Sequence, residues 1–357
     1  MPSPTQLRLL SRRLLFGADG PVEQVIRIWR NDTSRFLMVA ALAGLLGGLA
    51  GVLFDLLVGQ ISVLAFGTVE PSAHHHAKDF GALSAAQPAW WLWLLVPALG
   101  GLVATALIAV GTGSKGRVGL ADVVEGVANE GGRLDLRAAA ASAGGAVLSL
   151  GTGVSGGREG PIVQLGAALA SWLGGVLKLP PQRHRVVAAA GASAGIAASF
   201  DAPVGAVFFA MEVLLGSFAM EYFGPVVVAT VVGTIVGDAL LGDHTQLLLP
   251  EFGLVKAWQI ALCAVLGVGI GMIGLGFLKG LSMCHSLIER IPLPRWALGL
   301  VAGLTTGIVA VLGAPHILGN GYGFLRELLE QPNMAIGFLL VLLVLKMGTA
   351  LDRKSVV

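Results

Sequence analysis

Charge is scarce in this chain. Asp, Glu, Lys and Arg make up 12% of its 357 residues, where a soluble protein carries about 25%, so a water-soluble globular domain is excluded. The charges nearly cancel, to a net +2, and no basic patch marks a nucleic-acid partner. Cysteine is almost absent: Cys263 and Cys284 both lie deep in apolar sequence, which argues against a disulfide framework or a thiolate metal site. No cleavable signal peptide is expected either, because the first twenty residues are basic and lack a clean apolar core.

What the chain has instead is hydrophobic length. It is 55% hydrophobic, with a mean hydropathy of +0.81. Apolar runs recur at Phe36–Phe66, Ala89–Val110, Phe223–Leu241, Ile260–Leu281, Trp296–Leu312 and Ala335–Leu345, and runs of this kind are read as bilayer spans. The 52 glycines are spread through them, as at Gly44, Gly47, Gly48 and Gly51, and allow helices to approach closely. The expected fold is an all-α polytopic membrane protein. Arg8, Arg12, Arg13, Arg27, Arg30 and Arg35 precede the first long run, which places the N-terminus in the cytoplasm by the positive-inside rule.

Residues 1–35 read as a basic leader, 36–242 as a glycine- and alanine-rich first half, and 254–351 as a second set of helices after a polar break. Between 117 and 216 the apolar segments Ala121–Ala128, Ala138–Leu150, Pro161–Gly174 and Val186–Ser199 are short and separated by glycine-rich turns. Such broken helices are tolerated at membrane depth only inside protein or along a cavity, and their N-termini suit ion sites. A transporter- or channel-like core is expected there.

Within that core, Gly157-Arg158-Glu159-Gly160-Pro161 sets a carboxylate beside a guanidinium. Ionisable groups at membrane depth cost about 2.5–3.5 kcal/mol on insertion scales and mark ion or proton pathways by default. The proline suits a helix's first turn, so Glu159 would stand at the positive end of a helix that starts inside the protein. From these five residues alone, an interfacial loop capping an ordinary span stays open as the alternative. Val118-Gly119-Leu120-Ala121-Asp122 could offer its amides to an anion, but on spacing alone it reads better as a cytoplasmic loop and cap. Phe200-Asp201-Ala202-Pro203-Val204-Gly205 is a turn opening a further helix with Glu212 near its end.

The block from Gly157 to Gly166, followed by Gly191 to Glu212, resembles the CLC family of chloride channels and proton/chloride antiporters, and the likeness runs from about Ser34 to Leu351. The resemblance implies an inverted-repeat fold of tilted, broken helices. It also implies a homodimer in the cell's inner (plasma) membrane with one anion pathway per subunit, no cofactor and no enzymatic activity. Glu159 matches the gating glutamate, whose carboxylate occupies an outer anion site and swings away when protonated. Arg158 and Gly160 match the neighbours whose backbone surrounds that site. Val118, Gly119 and Leu120 fall where the family has a Gly-Ser-Gly-Ile-Pro anion site, with Val118 in place of its serine and Ala121 in place of its proline. Valine cannot donate a hydrogen bond to an anion, so the resemblance implies chloride or a related anion. A second glutamate that passes protons in the antiporters is matched by Val213, with Glu212 retained just before it. This tilts the expectation toward an uncoupled channel, with coupling through water or another acid such as Glu212 as the alternative.

The resemblance also implies helices beyond Leu351, so the second repeat reads as incomplete. Asp352-Arg353-Lys354-Ser355-Val356-Val357 fits no helix pattern and matches a sequencing adapter read in frame. The complete gene product is expected to conduct anions and this chain to do so poorly or not at all.

Two motifs point elsewhere. Gly151-Thr152-Gly153-Val154-Ser155-Gly156 fits the dinucleotide fingerprint but follows no strand. Gly191-Ala192-Ser193-Ala194-Gly195 fits a hydrolase nucleophile elbow, yet His184, His244, His285 and His316 lie near segment ends. Ser193 reads better as helix packing. His74, His75 and His76 read as a solvated loop rather than a metal site, and Tyr322 as structural.

Overall fold

A computed structural model describes residues 32–66, 90–113, 119–242, 258–288, 294–312, 317–322, 324, 325, 328 and 336–356. Val118, His74–His76, His244, His316, almost all of the basic leader and the polar break fall outside these residues, as do the side chains of Cys284 and His285.

Eleven helices make up the regular structure of the described residues. They are α1 (Asp32–Phe66), α2 (Trp90–Thr112), α3 (Leu120–Asn129), α4 (Leu136–Gly151), α5 (Glu159–Val176), α6 (Pro181–Phe200), α7 (Pro203–Phe209), α8 (Met220–Leu241), α9 (Trp258–Ile288), α10 (Arg295–Val311) and α11 (Ile336–Val356). A π-helical turn, Ala210–Leu214, extends α7. Four helices are long and apolar enough to cross a membrane: α1, α2, α8 and the Trp258–Met283 part of α9. At 1.5 Å per residue α1 is about 52 Å long, well over the ~30 Å hydrocarbon layer, so it must tilt or protrude. The short helix α3, about 15 Å long, cannot cross. The expected interruption of the first half is therefore present.

Helix α6 is the hub, packed by α1, α3, α5, α7 and α8. From Val186 to Ser199 nearly all its residues are buried. They are mainly Ala, Gly, Ser and Val, because protein rather than lipid surrounds them. Its backbone meets α1 through glycine: a Cβ on Gly51 would lie 2.6 Å from the Gly195 carbonyl oxygen, and one on Gly48 would lie 2.9 Å from Cα of Gly233 in α8. Small residues thus set the spacing of α1, α6 and α8. Helix α2 joins the two halves by packing on α4 and α10. In contrast, α9 leaves Leu262, Val265, Leu266 and Ile270 exposed, as suits a lipid-facing helix.

The last helix departs from expectation, since α11 runs on through Asp352, Arg353, Lys354 and Ser355. None of these is Gly or Pro, so nothing in the backbone chemistry breaks the turn.

Charge divides the first half by end. Gly131 and Gly132 lie against Pro181 and Arg185, and Arg183 of α6 forms a bidentate ion pair with Asp32 at the start of α1, its Nη1 2.9 Å from Oδ1. Arg35, Arg133, Arg137, Lys178, Arg183 and Arg185 therefore share one end of the bundle. Arg158 is the remaining described basic residue of 32–242. It lies toward the other end.

Candidate anion site

Helices α3 and α5 begin toward that other end without a side-chain cap. Helix α3 starts after Gly119 and α5 after Arg158, and neither N-cap residue bonds its helix's amides. Helix α4 shows the usual arrangement, with Asp135 accepting from the Arg137 and Ala138 amides at 2.9 and 3.3 Å. Uncapped first-turn N–H groups carry the positive end of the helix dipole. The two starts meet: a Cβ on Gly160 would lie 4.0 Å from the Leu120 backbone nitrogen. Gly119 has φ +127°, a conformation open to glycine and strained for other residues. Gly119, Leu120 and Gly160 are thus brought together, while Val118 lies outside the described residues.

Glu159 is the first residue of α5, as expected for the positive end of a helix. It is not buried, however; its side chain is exposed. The reason lies one residue back, where Arg158 takes the inward direction. Successive residues at a helix start point about 100° apart, so Glu159 is turned toward the opening. Its carboxylate folds back over Gly157, where a side chain at 157 would collide with it.

The Arg158 side chain turns into the protein and away from the opening. The residue is 2% exposed, and its Nη1 lies 2.9 Å from Oδ1 of Asp55 in α1. The Ser199 hydroxyl at the end of α6 donates to the other Asp55 oxygen at 2.6 Å. The guanidinium carbon stands 4.6 Å from the Phe200 ring centroid and 5.1 Å from that of Tyr322. Only the Arg158 backbone is left for the site. Removing one partner of a buried pair of this kind costs about 3–5 kcal/mol.

A segment from the second half braces this turn. The Gly319 amide donates to the Gly153 carbonyl at 2.8 Å, and the Gly156 amide to the Gly319 carbonyl at 3.4 Å. Lys346 of α11 holds the same segment, donating to the carbonyls of Ile317 at 2.7 Å and Gly319 at 2.6 Å. Tyr322 follows directly. Sequence reasoning missed Asp55 and Lys346. The available signal was an acid and a base standing inside long apolar runs.

Glu212 sits at the opposite end from Glu159. It is exposed in the π-helical turn, which lies near the start of α6, where Arg185 Nη2 reaches the Leu215 carbonyl. Arg185 and Phe200 are about 22 Å apart along α6. Ser193 is fully buried and bonded to Thr230 at 2.6 Å, whereas His184 bonds Ser171 at 3.1 Å. No base faces Ser193 among the described residues, so a hydrolase has no support. The glycine motif 151–156 ends helix α4 and follows no strand.

The sequence profile of the family described as voltage gated chloride channel matches residues 98–351. This chain belongs to the voltage-gated chloride channel, or CLC, family. A ClcB-like chloride channel protein of Ralstonia nicotianae (strain GMI1000) is 30% identical over 301 residues, covering 83% of this chain and 68% of that protein. The voltage-gated ClC-type chloride channel ClcB of Escherichia coli (strain K12 / DH10B) is 32% identical over 250 residues, and this chain spans only 58% of its length. Among solved structures, a slow cyanobacterial Cl−/H+ antiporter superposes with a TM-score of 0.74 at 21% identity, over 90% of this chain and 74% of that one. A CLC-type fluoride/proton antiporter gives 0.68 at 24% identity, over 90% and 76%. These likenesses establish the CLC fold. They match the all-helical, broken-helix architecture expected from the sequence.

Proposed function

We propose that this CLC protein carries chloride or a related anion across the membrane, gated by Glu159 and without coupled proton movement. The observation that carries this reading is the meeting of two uncapped helix starts at Gly160 and Leu120, with Glu159 on one of them. Free backbone amides at helix N-termini bind anions. A carboxylate in the same field competes for them, and protonation withdraws it. Gly119, Leu120 and the backbones of Arg158 and Gly160 supply donors, and Val118 supplies no hydroxyl. No chemical step, cofactor or metal enters this reading.

Val213 cannot carry a proton, which favours the uncoupled form. A second reading rests on Glu212, exposed at the far end from Glu159, where an acid would receive protons in an antiporter. The discriminating measurement uses the complete gene product in chloride-loaded liposomes. Chloride efflux with no accompanying proton uptake is expected. Proton uptake driven by the chloride gradient, and lost in Glu212→Gln, overturns the uncoupled form. The basic end of the first half, with Arg35, Arg133 and Arg183, supports a cytoplasmic N-terminus in the inner membrane. The family reading makes the working unit a homodimer.

Gly157→Ala gives a milder test of the gate. The added Cβ would lie 3.2 Å from the Glu159 Cδ and closer still to one carboxylate oxygen. It meets only the end of a flexible side chain, so stability should change by no more than about 0.5 kcal/mol. The carboxylate has to move, and anion efflux at neutral pH is expected to rise severalfold. Unchanged efflux would show that the folded-back position does not limit flow.

A further inference from the structure

We propose that Asp55 is a positioning residue for the gate: through the Arg158 guanidinium it fixes the first turn of α5 and cancels the positive charge beside Glu159. This rests on Glu159 being the gate. Three separate elements converge on the residue immediately before it: Asp55 from the middle of α1, itself held by Ser199, Phe200 from the end of α6, and Tyr322 from the second half. The α5 start has no capping side chain of its own, so this cluster is what anchors it. Packing alone does not call for charges here, since apolar residues of similar volume fill such space as well or better. Hydrogen bonding holds one end of the guanidinium, through Nη1 to Asp55, while Nε and Nη2 are buried without a protein partner. What the pair supplies is a fixed turn whose positive charge is matched.

The consequence concerns the pH at which the gate opens. The charged and titratable groups on the surrounding elements are Asp55 on α1, Asp122 and Glu125 on α3, and Asp201 at the C-cap of α6. Tyr322 belongs to the 317–322 segment, with Lys346 of α11 behind it. Arg137, Arg183, His184 and Arg185 stand at the far ends of α4 and α6. Of these, Asp55 and Arg158 are the buried pair adjoining Glu159. Neutralising either one leaves an unmatched charge in the pair that adjoins Glu159 and shifts the pH response of the gate. The two neutralisations act in opposite directions.

The test measures anion efflux from liposomes against pH for wild type, Asp55→Asn, Arg158→Gln and the double variant, each first shown to be folded and monodisperse. Asp55→Asn leaves the positive charge unmatched and favours the Glu159 carboxylate, so the midpoint falls. Arg158→Gln leaves the negative charge and raises the midpoint by a similar amount. The double variant returns close to wild type. A structural defect would move both single variants the same way, and that result, or two unmoved midpoints, overturns the proposal. If Asp55→Asn does not fold, Arg158→Gln carries the test. If neither folds while the double variant does, the pair is structural and the positioning role is withdrawn. Glu159→Gln separates this inference from the gate itself: a pH response that survives Glu159→Gln removes the gate assignment, whereas its loss with unmoved midpoints removes only the role of Asp55.

Discussion

Replacing Glu159 with glutamine abolishes the response of anion efflux to acid. The amide matches the protonated acid in size but cannot ionise, so it no longer competes with an anion for the amides at Gly160 and Leu120. Wild-type efflux should rise as the carboxylate is protonated, by up to about tenfold per pH unit, the limit for one titrating group. The glutamine variant should be flat across the same range and as active at neutral pH as wild type is in acid. Stability is not expected to follow. An exposed carboxylate at a helix N-terminus contributes only about 0.3–1 kcal/mol, and Glu159 is exposed. Efflux that still varies with pH in the variant would move the gate elsewhere.

The largest effect on folding is expected from Gly47→Val. A side chain at 47 would press directly on the Gly191 carbonyl of α6, with the Ala194 Cβ only 3.2 Å away. Neither obstacle can rotate aside, because the first is backbone and the second is a methyl attached to it. Overpacking of this kind costs about 1–3 kcal/mol where a core can yield, and more is expected where two backbones are already in contact. The folded fraction after detergent extraction should collapse. Gly267→Val is the matched control, since that position in α9 has nothing within 4 Å and should be extracted like wild type. Equal yields from both variants would mean that the glycine seam does not set the spacing of α1 and α6.

Much of this architecture was legible in the sequence, for identifiable reasons. The long apolar runs became α1, α2, α8, α9, α10 and α11. The short segments bounded by glycine became α3 to α6, because Gly, Pro and Asp mark helix ends in ways that do not depend on distant partners. The convergence of Glu159, Gly160 and Leu120 was legible only through family resemblance. Asp55 was not legible as part of the site. It bonds a residue 103 positions away, and its own neighbourhood is an unbroken apolar helix. Tyr322 shows the same limitation: it read as structural, and its ring stands over Arg158. The exposure of Glu159 was missed because pattern alone does not say which of two adjacent charged residues turns inward.

Helix α6 has a consequence for biogenesis. Its sequence is alanine, glycine and serine behind a start bearing Arg183, His184 and Arg185, and it is not among the helices apolar enough to cross a membrane by themselves. A segment of that character gains little by partitioning into lipid. It has to be accepted by protein that is already in place, with α1 entering first and offering it a surface. Synthesised without α1, the hub of the mature bundle should remain on the aqueous side.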